Sequence, residues 1–129
     1  MEYEAIIQAA SEARERAYAP YSGFRMGAAV LTTDGQVVAG SLVENVSLGL
    51  AMCAERVALF ASVAAGARPK ALALVSPRTD AELTFPCGAC LQVGLELGGR
   101  DMVVIAVGTD GEREQVVLRD LLPRGPRKG

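Results

Sequence analysis

Cys53, Cys87 and Cys90 are the chain's only cysteines, and histidine is absent altogether. They fall in two short runs, Cys53-Ala54-Glu55 and Pro86-Cys87-Gly88-Ala89-Cys90. A fold that puts these thiols to common use must therefore bring two distant segments to one point. Soft thiolates at this spacing suit Zn²⁺, which takes four ligands, and three protein ligands leave one position for water. A closed structural zinc site needs a fourth cysteine or histidine, and the sequence has none. The plainer readings are three buried apolar side chains, or one disulfide with a thiol left over. The start, Met1-Glu2-Tyr3-Glu4, lacks the basic segment of a secretion signal that would favour a disulfide.

The two runs together resemble the described signature of zinc deaminases: a first ligand, a glutamate that does not ligate, and a Pro-Cys-x-x-Cys second half. In that chemistry water adds to the C=N carbon of an aminopyrimidine and ammonia leaves, with zinc lowering the pKa of water from about 15.7 to near 7. Glu55 is the candidate proton shuttle, taking a proton from water, protonating the ring nitrogen and delivering a proton to the leaving amine. Arg56 reads either as a solvated surface arginine or as a donor to thiolate sulfur that offsets the excess charge of three thiolates on Zn²⁺. Both cysteine runs open predicted helices, and the helix dipole favours thiolates there.

At 129 residues the chain is expected to form one domain with its own core. Half the residues are hydrophobic and the mean hydropathy is +0.25, a surplus expected to go into subunit contacts. No apolar run reaches the roughly 18 residues that span a bilayer. The net charge of −2 argues against nucleic acid and for a small-molecule partner. Free thiolates fit a reducing cytoplasm. Arg124, Arg127 and Lys128 lie among Pro and Gly, so residues 124–129 are expected to form a flexible tail behind a domain over 1–123.

Ile6, Ala10, Ala13 and Ala17 recur at helical spacing over residues 3–18, stopped by Pro20. Phe24, Met26, Ala28 and Val30 alternate, predicting a strand through Thr32, with a turn at Asp34-Gly35 into a second strand over 36–39. Residues 40–51 are turn-rich, 53–65 are helical, and Gly66 is the expected residue past the helix end. A strand over 71–76, a helix over 88–97 ended by Gly98-Gly99, and a strand over 102–107 form a β-α-β unit, which implies a right-handed parallel crossover. A last strand over 115–118 and a short helical turn complete the order αββαβαββ. The expected fold is a three-layer α/β/α domain with a mixed sheet.

Nearly the whole chain is similar to the small, homotetrameric, zinc-dependent cytidine deaminase family. The resemblance runs through Ala17-Tyr18-Ala19-Pro20-Tyr21-Ser22-Gly23-Phe24, Met26-Gly27-Ala28-Ala29, Val43-Glu44-Asn45, Cys53-Ala54-Glu55-Arg56, Pro86-Cys87-Gly88-Ala89-Cys90 with Gln92, and Leu121-Leu122-Pro123. It implies Cys53, Cys87 and Cys90 as zinc ligands, Glu55 as the catalytic proton carrier, and sites that include residues from neighbouring subunits, while the role of Arg56 behind the thiolates rests on the charge argument alone. It also implies Phe24 against the pyrimidine, Glu44 as acceptor for a ribose hydroxyl, and the positions of Leu42 and Ala54 on the substrate side. Taken alone, Phe24 reads equally as a core strand residue and Glu44 as a solvated loop carboxylate.

Four positions depart from the family pattern: Leu42 replaces an asparagine, Leu48 an aromatic and Leu91 an arginine, and Gly125 stands at best where a C-terminal aromatic is usual. The implied function is hydrolytic deamination of cytidine or deoxycytidine in pyrimidine salvage. The departures keep open a modified cytosine nucleoside of blasticidin type as substrate, and a non-catalytic zinc-binding oligomer.

Overall fold

The structure, a computed structural model, describes residues 2–127; Met1, Lys128 and Gly129 lie outside the described residues. The elements are α1 (Glu4–Glu15), β1 (Gly27–Thr32), β2 (Val37–Ser41), a 3-10 turn (Leu48–Leu50), α2 (Ala54–Ala64), β3 (Pro69–Val75), α3 (Gly88–Gly98), β4 (Val103–Val107), β5 (Arg113–Val117) and α4 (Leu118–Leu121). They match the order read from the sequence. The sheet runs β2-β1-β3-β4-β5, parallel only between β3 and β4 and antiparallel elsewhere, so it is mixed as expected.

Side chains alternate across this sheet and so build two cores. Ala28, Val30, Leu72 and Val104 face α2 and α3, where Leu59, Leu91 and Leu95 meet them. Ala29, Ala71, Ala73 and Ile105 face α1, where Ile6, Ile7 and Ala10 meet them. Three layers result. Leu59 is fully buried, and truncating it to alanine is expected to cost about 2–5 kcal/mol.

Two glycines set how closely the helices approach. A Cβ on Gly27 would lie 2.2 Å from the Ala10 carbonyl oxygen, and one on Gly40 would lie 2.5 Å from the Ala58 nitrogen. The absent side chains let α1 press on β1 and α2 press on β2. The second contact anchors the first turns of α2, and with them the segment that carries Cys53 and Glu55.

The strand expected from Phe24 begins at Gly27 instead. Gly23 adopts φ 69°, and the Phe24 amide donates to Ser22 Oγ at 3.0 Å. That serine turn occupies the amide a strand ladder would need, which overrides the alternating pattern. At the other end, Gln92 Nε2 donates to the Pro126 carbonyl at 2.8 Å, and Gly125 packs closely on Leu95 and Leu122. This part of the expected tail therefore lies along α3.

Candidate metal centre and substrate groove

Cys53 and Cys87 are the N-cap residues of α2 and α3, both with extended backbone (φ −68°, ψ 146° and φ −69°, ψ 168°). Their carbonyls accept the first helical hydrogen bonds, from Val57 at 3.1 Å and Leu91 at 2.9 Å. An N-cap side chain sits at the positive end of the helix dipole, a position that favours thiolate at Cys53. Cys90, on the first turn of α3, is fully buried. The three Sγ atoms lie within 4.8 Å of one another, and those of Cys87 and Cys90 are 3.4 Å apart. Tetrahedral zinc with Zn–S bonds of about 2.3 Å places its sulfurs about 3.8 Å apart. The cluster therefore fits the ion with small side-chain adjustments.

Electrostatics support the same fit. Cys53 is held down to about 5 by a hydrogen bond from the Cys90 thiol, with Arg56 Nη2 donating to Cys53 Sγ at 3.5 Å as a further cause. Cys90 is pushed well up, because its proton serves Cys53 and because it is buried. A dication can take the place of that shared proton. Of the other described side chains that are not exposed, Glu55 Oε1 and Arg56 Nε are buried polar atoms without a hydrogen-bond partner. Unpaired buried polar groups are costly, and an ion with its water held by the three sulfurs would give Glu55 Oε1 a partner. Glu55 is 1% exposed, and burial first, then the negative charge of Cys53, raises its carboxyl to about 7. A carboxyl poised there both accepts and returns a proton near neutral pH.

Next to this centre, Val43 pairs with Met52 and also bridges to Tyr18. Backbone bonds from Tyr18 to Leu42 and from Glu44 to Tyr18, each 2.8 Å, hold the segment from Leu42 to Glu44 extended. Glu44 Oε1 accepts from the Tyr21 and Ser22 amides at 3.0 and 3.3 Å, while Oε2 accepts from Ser22 Oγ. The Ser22 hydroxyl leads these bonds in holding Glu44 below the usual carboxylate range, so it is an oriented, ionised acceptor. Tyr21, Ser22, Leu42, Glu44, Asn45, Leu48 and Ala51 line a groove of about 360 Å³.

The structure thus brings Cys53, Cys87, Cys90, Glu55 and Arg56 together, and places Leu42 and Glu44 on a groove that also takes in Ala51, two residues before Cys53. Ala54 is fully buried, with its methyl group in the core beside α2. Phe24 is half-buried at the serine turn, two residues past Ser22. Leu42 packs partly on the core, whereas Leu48 is 87% exposed on the 3-10 turn. Leu91 is a core residue, so an apolar side chain is what its surroundings require. Sequence reasoning did not single out Ser22 as the residue that aims Glu44. The signal for it was Ser22-Gly23, a side-chain turn motif ahead of an alternating run.

The fold and the site define a class: a three-layer α/β/α domain whose two helix N-termini converge as a thiolate cradle beside a buried glutamate. Residues 1–106 match the family model for the cytidine and deoxycytidylate deaminase zinc-binding region, and the chain belongs to that family. It is 42% identical over 123 residues to a cytidine deaminase of Halalkalibacterium halodurans, covering 95% of this chain and 92% of the relative. It is 44% identical over 114 residues to a cytidine deaminase of Mycobacterium tuberculosis, covering 88% and 81%. A crystal structure of cytidine deaminase from Burkholderia pseudomallei superposes with a TM-score of 0.89 at 47% identity, covering 97% of this chain and 99% of that one. The chain is accordingly a hydrolytic deaminase, and zinc is its metal. No helix among the described residues is long and apolar enough to cross a membrane.

Proposed function

We propose that this protein deaminates cytidine and deoxycytidine to uridine and deoxyuridine, releasing ammonia. The observation that carries the reading is the buried carboxyl of Glu55, unpaired at Oε1, beside three convergent cysteine sulfurs. Cys53, Cys87 and Cys90 hold the zinc, and Arg56 balances the charge of the thiolates. When bound, zinc supplies the Lewis acidity that makes water nucleophilic near neutral pH. Glu55 accepts the proton released as water adds at C4, passes it to N3, and carries a second proton to the departing amine. Burial keeps Glu55 out of bulk water, so its proton goes to the substrate. Glu44, aimed by Ser22, accepts a sugar hydroxyl, and Phe24 packs against the pyrimidine. Ala54 contributes its backbone on the substrate side, since its methyl group is in the core.

The domain spans residues 1–123, and the working form is a homotetramer acting in cytoplasmic pyrimidine salvage. Exposed Phe60 and Val63 on α2, which share an apolar groove with Val93 and Leu97 of α3, and exposed Val46, Leu48 and Leu50 support the assembly. Uncovered apolar clusters of this kind mark contact surfaces.

Leu42 and Leu48 favour a second reading, in which a modified cytosine nucleoside is the better substrate, because they make part of the groove wall beside Glu44 apolar. An ammonia-release screen over cytidine, deoxycytidine, cytosine and 5- or N-modified cytosine nucleosides tests both readings. Fastest turnover of cytidine or deoxycytidine upholds the first. Fastest turnover of a modified nucleoside upholds the second, and release from none of them overturns both.

A further inference from the structure

The three cysteines are not equally protected. Within one subunit Cys87 is exposed, Cys53 is half-buried and Cys90 is buried. Arg56 Nη2 attends Cys53 at 3.5 Å. Cys87 therefore presents the sulfur most open to a small solute, and Cys90 Sγ stands 3.4 Å behind it. Both belong to one Cys-x-x-Cys at the start of α3, a spacing that places Cα atoms within the range a disulfide needs.

We propose that the Cys87–Cys90 pair is a peroxide-sensitive switch that releases the metal and turns the enzyme off. The proposal rests on the zinc-deaminase reading of the site. The Cys87 thiolate attacks one oxygen of a hydroperoxide, the O–O bond breaks, and the departing oxygen takes up a proton to leave as water or alcohol. Cys87 is then a sulfenic acid. Cys90 sulfur attacks it, the S–S bond forms, the S–O bond breaks, and the hydroxide leaves as a second water after taking a proton. Two thiolates are oxidised by two electrons and one peroxide is reduced. Cys53 remains as the only thiolate ligand, too few to hold zinc. A dithiol reductant reverses the step, and added zinc refills the cluster.

The test uses zinc-loaded protein treated with hydrogen peroxide, then alkylated and digested with trypsin. Between Arg78 and Arg100 there is no Lys or Arg, so Cys87 and Cys90 share one peptide, whereas Cys53 lies in another that ends at Arg56. The expected result is that the 79–100 peptide loses two hydrogens and resists alkylation while Cys53 stays alkylatable. Zinc should appear on a chromophoric chelator in step with that change, and dithiothreitol plus zinc should restore the starting state. A disulfide that includes Cys53, irreversible oxidation of Cys87 without a disulfide, or full zinc retention after the pair has closed overturns the proposal. None of these readouts uses a nucleoside, so the switch is upheld or overturned even in a protein inactive on cytidine.

Discussion

The guanidinium of Arg56 reaches back one helical turn to stand 3.5 Å from the sulfur of Cys53. The same cysteine caps α2, so one sulfur receives both the helix dipole and a fixed cation. Partners that hydrogen-bond a metal's ligands typically govern about 10–100-fold in affinity. Arg56→Gln is therefore expected to weaken zinc binding by about that factor, read by competition with a chelator of known affinity. Unchanged affinity would return Arg56 to the role of a solvated surface residue.

The pH dependence of stability isolates Glu55. Burial raises its carboxyl from 4.5 to about 7, so the folded protein keeps a proton that the unfolded chain releases between those values. The group costs nothing below the unfolded pKa, and the cost grows to about 3 kcal/mol as pH rises through the folded one. Cys53, lowered from 9.0 to about 5, slopes in the opposite direction over an overlapping range. The informative quantity is thus the difference between the wild type and Glu55→Gln, both treated with chelator. The variant is expected to gain about 3 kcal/mol on the wild type between about pH 4 and about pH 8 in denaturant titrations. Parallel stability curves would mean that the carboxyl is solvated.

Much of this site is legible in the sequence because its parts are local. Cys53 and Cys87 precede apolar helical runs, and Gly66, Gly99 and Gly111 fall where the backbone takes positive φ. The β-α-β pattern implies the parallel pairing of β3 and β4, which the structure contains. Long-range relations were not legible. Nothing in the sequence placed β1 between β2 and β3 or brought Ser22 to Glu44, 22 positions away, whereas the turn in which Ser22 takes the Phe24 amide is local and simply outweighs the alternation around it. Leu91 stands in the sequence as a departure from the family pattern, next to Cys90 and where an arginine is usual. Its place among Leu95, Met102 and Leu118 depends on α3 docking on the sheet.

Assembly can be read by light scattering. The purified protein is expected to be a closed homotetramer, a common symmetric form. Phe60 is 48% exposed on α2, and Phe60→Glu puts a charge into the apolar groove it shares with Val93 and Leu97. That variant is expected to fall to a smaller species. A stable, fully active wild-type monomer would contradict the assembly.

Leu42 tests the sugar side of the groove. Leu42→Asn is expected to add one hydrogen bond to a ribose hydroxyl near Glu44, contributing about 0.5–1.5 kcal/mol, or roughly 2- to 12-fold in cytidine kcat/KM. Free cytosine has no hydroxyl there and should gain nothing. Equal gains on both compounds, or none on cytidine, would mean that position 42 does not face the sugar.

The most direct measurement is ammonia release from cytidine by Glu55→Gln at a zinc content matched to the wild type. Glutamine keeps the shape and the burial but cannot carry the proton, and general acid–base transfer of this kind contributes about 10²–10⁴-fold. The expected result is a folded variant with full zinc whose kcat falls by about that factor. Near-normal turnover at full zinc occupancy would remove Glu55 from the chemistry and contradict the account at its centre.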